Sequence, residues 1–368
     1  YKYIMSLSHL SLKYFRNIEA LTLEPVNGVN IIYGENGSGK TSLLEAIYYL
    51  SHGKSFRTPK HKSIIAHQQE QFVIHGRKTI HDLSIPIGIS KTQTGETNLK
   101  IQGKASRKIS ELAQLMPVQI ITPESYSLFF GGPKERRKFL DLGLFHVEHE
   151  FFFLWQSFNK VLKQRNALLK TKPKNYFDQI KFWDKEFVRL AEEINKLRLA
   201  YISRFKQQFF DKMCAELTLV RDLEMTFSAG WKETESLADA LEQNFERDAR
   251  QGFTSKGPHK ADFSFSVAGN SVENTFSRGQ LKLLLYALKV TQNSLIESET
   301  DKQSILLIDD LPSELGEDTK EKVGQLLAHC SSQIFISSIL SESISAVVEP
   351  MQRELQMFHV KHGNLITR

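Results

Sequence analysis

Val29-Asn30-Ile31-Ile32-Tyr33, followed at once by Gly34-Glu35-Asn36-Gly37-Ser38-Gly39-Lys40-Thr41, is the stretch on which the reading of this chain turns. The first five residues form a mainly apolar run, the pattern of a strand buried on both faces of a parallel sheet. After Lys40, the residues Leu43, Leu44, Ile47 and Leu50 recur at helical spacing, and the run stops at Gly53. Between strand and helix, Gly-x-x-x-x-Gly-Lys-Thr fits the eight-residue phosphate-binding loop. Its glycines let successive backbone N–H groups converge on phosphate oxygens, and the helix N-terminus adds its dipole. In such a loop Lys40 reaches the β and γ phosphates of a nucleotide and Thr41 can ligate Mg²⁺. The plain rival is a glycine-rich turn that happens to end in Lys-Thr, and the strand before it and the amphipathic helix after it argue against that.

A phosphate loop needs a carboxylate at the end of a second strand to hold the metal. Ile305-Leu306-Leu307-Ile308-Asp309-Asp310 supplies four apolar residues ending in two carboxylates. Asp309 is assigned to Mg²⁺. Asp310 is assigned to orienting or deprotonating the attacking water, for which its shorter side chain is less usual than glutamate. Lys40 and Asp309 lie 269 positions apart, so a whole lobe is inserted between two halves of one nucleotide site. Phe276-Ser277-Arg278-Gly279-Gln280 opens a further amphipathic helix shortly before Asp309. By itself Ser-x-Gly-Gln is an N-cap. In this position it is similar to the five-residue signature of ABC-type ATPases, with Ser277, Gly279 and Gln280 directed at the γ-phosphate held by a second subunit.

Of the 368 residues 40% are hydrophobic and 24% charged, which excludes chains that are disordered, collagen-like or coiled-coil throughout. No apolar run approaches the roughly 18 residues that cross a bilayer. The start lacks the apolar core of a secretory signal, so a cytoplasmic protein is expected. Cys214 and Cys330 stand 116 positions apart without a Cys-x-x-Cys, which argues against a disulfide framework, a thiolate zinc site and a redox pair. The net charge of +6 is unevenly spread: residues 154–213 hold 14 Lys or Arg against 6 Asp or Glu. That stretch reads as two helices broken at Pro173, far too short for a long coiled-coil arm. Lys160, Lys163, Arg165, Lys170, Lys172 and Lys174 could line a DNA groove, since Lys and Arg on phosphates supply most sequence-independent affinity. A solvated helix face is the competing reading. No base-reading motif is present, so any DNA preference would concern structure rather than sequence. His146 and His149, beside Glu148 and Glu150, read as an ordinary helix surface rather than a metal site. The rings of Phe151, Phe152, Phe153, Trp155 and Phe158 read as packing.

Further motifs are Phe15-Arg16-Asn17, 117–124 (PVQIITPE), Gly132-Pro133 with 136–141 (RRKFLD), Lys163-Gln164-Arg165-Asn166, 257–262 (GPHKAD) and 311–315 (LPSEL). Together with the phosphate loop, the chain resembles from end to end the RecF family of bacterial recombination-repair ATPases, relatives of the ABC and chromosome-maintenance heads. The resemblance implies an α/β ABC-type P-loop ATPase head built from both chain ends, 1–122 and 253–368, with an inserted, mainly helical lobe at 123–252 and no long coiled coil. It implies that Gln119 senses metal and attacking water, and that Ser313-Glu314-Leu315 is the D-loop. Gly316 departs from the Asp common after that tripeptide, and the strand ending at Ser338 lacks the switch histidine of transporters; both imply slow hydrolysis. The resemblance also implies ATP and Mg²⁺ as cofactors, an ATP-dependent homodimer, and binding to DNA gaps or junctions. Its implied partners are RecO and RecR in loading RecA, with roles in replication restart and SOS induction.

Two other classes compete. A nucleotide-dependent scaffold would act mainly through protein partners, with DNA contact incidental. A metal-dependent nuclease would need an acidic cluster outside Asp309 and Asp310, and the sequence offers no convincing one.

Overall fold

In the computed structural model, residues 5–80, 83–214, 222–311 and 315–366 are described. The chain divides into two compact units, residues 1–125 with 282–368, and residues 126–281.

The first unit holds two six-stranded sheets. One is antiparallel, in the order Ile18–Leu23, Met5–Phe15, Gln71–Ile80, Leu83–Thr92, Thr97–Ile101, Lys104–Ser106. The other runs Asn364–Ile366, Leu355–Lys361, Val29–Tyr33, Gln333–Ser338, Ile305–Ile308, Val118–Ile121, parallel throughout except for the hairpin at its edge. Strands in its middle are buried on both faces because each side is covered: all four residues of Ile305–Ile308 and all six of Gln333–Ser338 are buried. The helix Lys40–His52 packs on this sheet, and Leu43, Leu44, Ile47 and Leu50 enter the same core as Leu10, Phe15, Phe72 and Phe335. The strand that leads into the phosphate loop has both neighbours, Gln333–Ser338 and Leu355–Lys361, from the other end of the chain.

The second unit is built on the helices Phe151–Thr171 and Tyr176–Gln208, joined through residues 172–175, where Lys172 and Asn175 take left-handed backbone angles. Pro173 lies in that connection, as its missing N–H requires. The unit also holds a three-stranded antiparallel sheet, Asn270–Ser271, Asp262–Val267 and Leu223–Ser228. Residues 253–281, assigned by sequence to the head, belong to this compact unit, because Asp262–Val267 pairs along its length with Leu223–Ser228. No helix among the described residues is long and apolar enough to cross a membrane.

Candidate nucleotide-binding site

Gly34 takes φ +150°, and a Cβ there would sit 2.1 Å from the Val360 carbonyl oxygen, so the loop can leave its strand at this point only as glycine. Lys40, the first residue of the helix, folds its side chain back so that Nζ donates to the carbonyls of Gly34 (2.7 Å) and Glu35 (2.9 Å). Burial lowers its pKa, and the nearby carboxylates of Asp310 and Asp309 oppose the shift. Ser38 is buried with its hydroxyl unpartnered among the described residues.

The second carboxylate strand lands where the loop needs it. The hydroxyl of Thr41 donates to Asp309 Oδ1 at 3.0 Å, and Ser337 Oγ donates to the same oxygen at 2.7 Å. The two oxygens expected to ligate one Mg²⁺ therefore already converge across 268 residues of chain, a donor set suited to a hard cation. Desolvation raises the Asp309 pKa against the pull of those two hydroxyls. Asp310 follows with φ 56°, a left-handed conformation uncommon for a residue with a side chain, and its amide donates to Ser337 Oγ at 2.8 Å.

These groups line one cavity of about 680 Å³, together with Arg16, Asn17, Asn36, Phe56, Arg57, Pro123 and Glu124. Arg16 and Asn17, quoted in the sequence only as part of a motif, have visible tasks. Asn17 Nδ2 donates to the Gly37 carbonyl (3.0 Å), and its Oδ1 accepts from Ser42 (2.9 Å), which ties the loop to the first hairpin. Arg16 grips the fully buried Glu45 with two bonds, 2.9 and 2.6 Å, and Arg57 stands 3.5 Å from the same carboxylate. Neither Arg57 nor Ser337 carries a sequence signal for this site: Arg57 lies outside any periodic pattern, Ser337 reads only as part of the strand Gln333–Ser338, and each meets the site only through the fold.

Gln119 is placed differently from its expected role. It is the second residue of Val118–Ile121, pairs with Leu306, and is 1% exposed, with both amide atoms unpartnered among the described residues. The carboxyl edge of the sheet, where Asp309 sits, is three residues further on, about 10 Å along a strand. The residues of that segment that line the cavity are Pro123 and Glu124. Ser313 and Glu314 of the expected D-loop lie outside the described residues.

Ser277 and Gln280 form a reciprocal cap at the start of Arg278–Thr300. The Ser277 amide donates to Gln280 Oε1 (2.8 Å), and the Gln280 amide donates to Ser277 Oγ (3.3 Å). Ser277 is exposed, and its hydroxyl hydrogen is left over by this cap.

In the second unit, the helix Phe151–Thr171 separates the expected DNA-contacting residues. Lys160, Lys163 and Lys170 are exposed, whereas Arg165 is fully buried. At about 100° per residue, position 165 faces with Phe158, Val161 and Leu169 and away from the lysines. Arg165 bonds Asp184 (2.7 Å), Asp248 (3.2 Å) and Thr254 (2.9 Å), so it is a structural ion-pair centre and not a DNA contact. The 3.6-residue spacing from Phe158 was the signal that marks it as internal. The other motifs converge similarly. Arg136 chelates Asp262, Arg198 chelates Asp141 and bonds the Pro258 carbonyl, and Asn166 accepts twice from Thr254. His146 is buried and His149 falls beyond the end of Pro133–Val147; no group of three or more His, Cys, Asp or Glu among the described residues is placed to hold a metal. Phe151 and Phe158 are buried as expected, whereas Phe153 is 67% exposed.

The family described as RecF/RecN/SMC N terminal domain matches residues 6–365. A DNA replication and repair protein RecF from Pseudoalteromonas translucida (strain TAC 125) is 96% identical over 99% of this chain and 100% of its own length. The chain belongs to the RecF family. RecF of Vibrio atlanticus (strain LGP32) is 41% identical across 98% of the chain and 99% of its own length. Among solved structures, a recombination mediator protein RecF with ATP, described as acting in the RecFOR pathway, superposes with TM-score 0.86 at 28% identity, over all of this chain and 98% of that one. An Smc head bound to the winged-helix domain of ScpA matches in fold, with TM-score 0.59 at 14% identity, over 98% and 96% of the two chains. This chain thus shares its fold with the Smc head, and its described residues include a helical unit but no long coiled coil.

Proposed function

We propose that this RecF family member is an ATP-dependent DNA-binding protein of recombinational repair, in which ATP drives a homodimer that clamps DNA at gaps or junctions. The observation that carries this reading is the Thr41–Asp309 hydrogen bond at 3.0 Å, within a cavity bounded by the phosphate loop. Thr41 and Asp309 would hold Mg²⁺, which neutralises charge on the β and γ phosphates when bound. Lys40 Nζ would exchange its two loop carbonyls for phosphate oxygens, and free backbone N–H groups at the N-terminus of the helix Lys40–His52 would bind the same anion. Asp310, fixed by Ser337, aligns or deprotonates the attacking water. Ser277 donates its spare hydroxyl hydrogen to the γ-phosphate held by a second copy. Loss of that phosphate removes the bridge, so slow hydrolysis acts as a release step rather than a motor.

In the cytoplasm such a clamp serves RecA loading with RecO and RecR, replication restart and SOS induction, by analogy with relatives named for DNA replication and repair. The exposed lysines of residues 160–170 would neutralise DNA phosphates without reading sequence.

Molar mass by light scattering, with ATP, ADP or neither and with or without a gapped duplex, tests the reading. Dimers specific to ATP and stabilised by DNA are expected. Ser277→Arg should retain ATP affinity and lose the dimer; an undiminished mutant dimer sinks the signature assignment. A monomer in every condition, despite ATP binding, transfers the reading to a protein-directed scaffold.

A further inference from the structure

The connected end of the helical hairpin carries a second kind of surface. Within the first ten residues of Tyr176–Gln208, the rings of Phe177 and Phe182 are 45% and 70% exposed. At about 100° per residue, Phe177, Lys181, Lys185, Asp178 and Phe182 fan across a single face about 140° wide, with the two lysines between the two rings. Ile180 and Phe187 point the opposite way and are buried. Lys181 Nζ lies 4.5 Å from the centre of the Phe177 ring, and Phe245 packs nearly perpendicular to that ring at 5.2 Å between centroids. Trp183 packs nearly perpendicular to the Phe182 ring, at 5.7 Å between centroids.

Charge says what this face would meet. Residues 170–185 hold five lysines, Lys170, Lys172, Lys174, Lys181 and Lys185, and two aspartates. Asp184 is committed to Arg165, so within this segment Asp178 alone opposes the five; on the neighbouring helix Phe245–Gln251, Asp248 is likewise paired with Arg165 and Glu246 is the remaining acid. One turn further on, the helix neutralises itself, with Arg189 bonded to Glu186 and Glu193. The cationic, ring-bearing zone is therefore confined to the hairpin end. Lysines alone would suit any polyanion; two exposed rings beside them suit one whose bases are unpaired, because a duplex hides its base faces and a single strand offers them for stacking.

We propose that this hairpin end is a stacking platform for single-stranded nucleic acid, with Phe182 and Phe177 receiving bases and Lys181, Lys185 and Lys174 holding the adjoining phosphates. The proposal rests on the nucleic-acid reading above and sharpens it: the clamp holds duplex, and the hairpin end holds the unpaired strand beside it.

The test is fluorescence anisotropy of the full-length protein with Mg-ATP against labelled oligo-dT of about 20 nucleotides and against a duplex of equal length. Phe182→Ala should weaken oligo-dT binding at least about fivefold, the lower end of one lost base stack, with duplex affinity unchanged within about twofold. Lys181→Gln with Lys185→Gln should reduce the salt slope for oligo-dT by about 1.4, or about 0.7 for each lost single-strand contact. Because Phe182 is solvent-facing, both variants should keep the wild-type melting midpoint and ATP turnover. Unchanged oligo-dT affinity in Phe182→Ala, with duplex binding intact, overturns the platform and leaves the clamp standing. Equal losses for both nucleic acids assign the hairpin to general phosphate attraction and also overturn it. Binding to an acidic peptide or to anionic vesicles that depends on Phe182 while oligo-dT binding does not gives the face to another partner. Absence of binding to either nucleic acid would count against the clamp itself.

Discussion

Arg165 and Lys160 are one and a half turns apart on one helix and have opposite fates. Arg165 joins Asp184 and Asp248 in the interior, and Asp248 is itself fully buried. Removing one partner of a buried pair leaves an uncompensated charge, so Arg165→Ala should destabilise by about 3–5 kcal/mol, measured as a fall in the urea midpoint. Lys160→Ala should change stability by no more than about 0.5 kcal/mol and lower the salt slope of duplex binding by about 0.9. If Arg165→Ala folds normally and mimics Lys160→Ala in DNA binding, the burial argument fails. His259 is a second internal residue with a measurable signature. Its Nε2 donates to the Thr254 carbonyl at 2.9 Å, its ring lies against Phe158 and Phe187, and burial lowers its pKa to about 4. The unfolded chain then binds the extra proton between about pH 6.5 and 4, so this residue's contribution to stability is full above 6.5 and is lost as pH falls through that window, by up to roughly 3 kcal/mol. His52 shifts the same way, so the comparison is between wild type and His259→Gln, whose urea midpoint should slope less with pH. Parallel slopes would remove His259 from the titration.

Among elements, the hairpin Leu355–Lys361 with Asn364–Ile366 does more than close a sheet edge. The Gly363 amide, in its turn, donates to the Ser38 carbonyl at 2.7 Å, behind the phosphate loop. Gly363 has φ +76°, and a Cβ there would stand 2.4 Å from the Asn17 carbonyl oxygen. Asn17 in turn holds Gly37 and Ser42. Gly363→Ala should therefore cost about 1 kcal/mol or more in stability and weaken ATP binding several-fold, the second through displacement of Asn17. Calorimetric titration with ATP checks it; a destabilised variant with wild-type ATP affinity would separate the hairpin from the site. The phosphate-loop strand and helix, the carboxylate strand and the cap at Ser277 were all legible in sequence, because each depends on local period or spacing. The place of Gln119 was not: its strand is legible in the sequence, but only the register with Leu306 shows that it stops short of the sheet's carboxyl edge.

For the whole molecule, the decisive fact is that the phosphate-loop strand is flanked on both sides by strands from residues 333–361. A fragment of residues 1–125 leaves Val29–Tyr33 with neither neighbour and an apolar face uncovered. It should lack cooperative unfolding and ATP binding when expressed alone, and regain both when coexpressed with residues 282–368. Circular dichroism melts and nucleotide titration decide the matter, and a folded, ATP-binding 1–125 fragment would contradict it. The sequence by itself determined the nucleotide chemistry, since a phosphate loop is a contiguous backbone device whose glycines, lysine and threonine must occupy fixed offsets between one strand and one helix. It also determined that the carboxylate partner lies far along the chain and that no coiled coil intervenes. Only the tertiary structure decided which charged residues serve the site and which serve the interior. Arg57 and Ser337 reach the cavity, and Arg165 leaves the basic face for a buried pair, because helix phase, strand register and the crossing of distant segments set a side chain's direction, and composition does not.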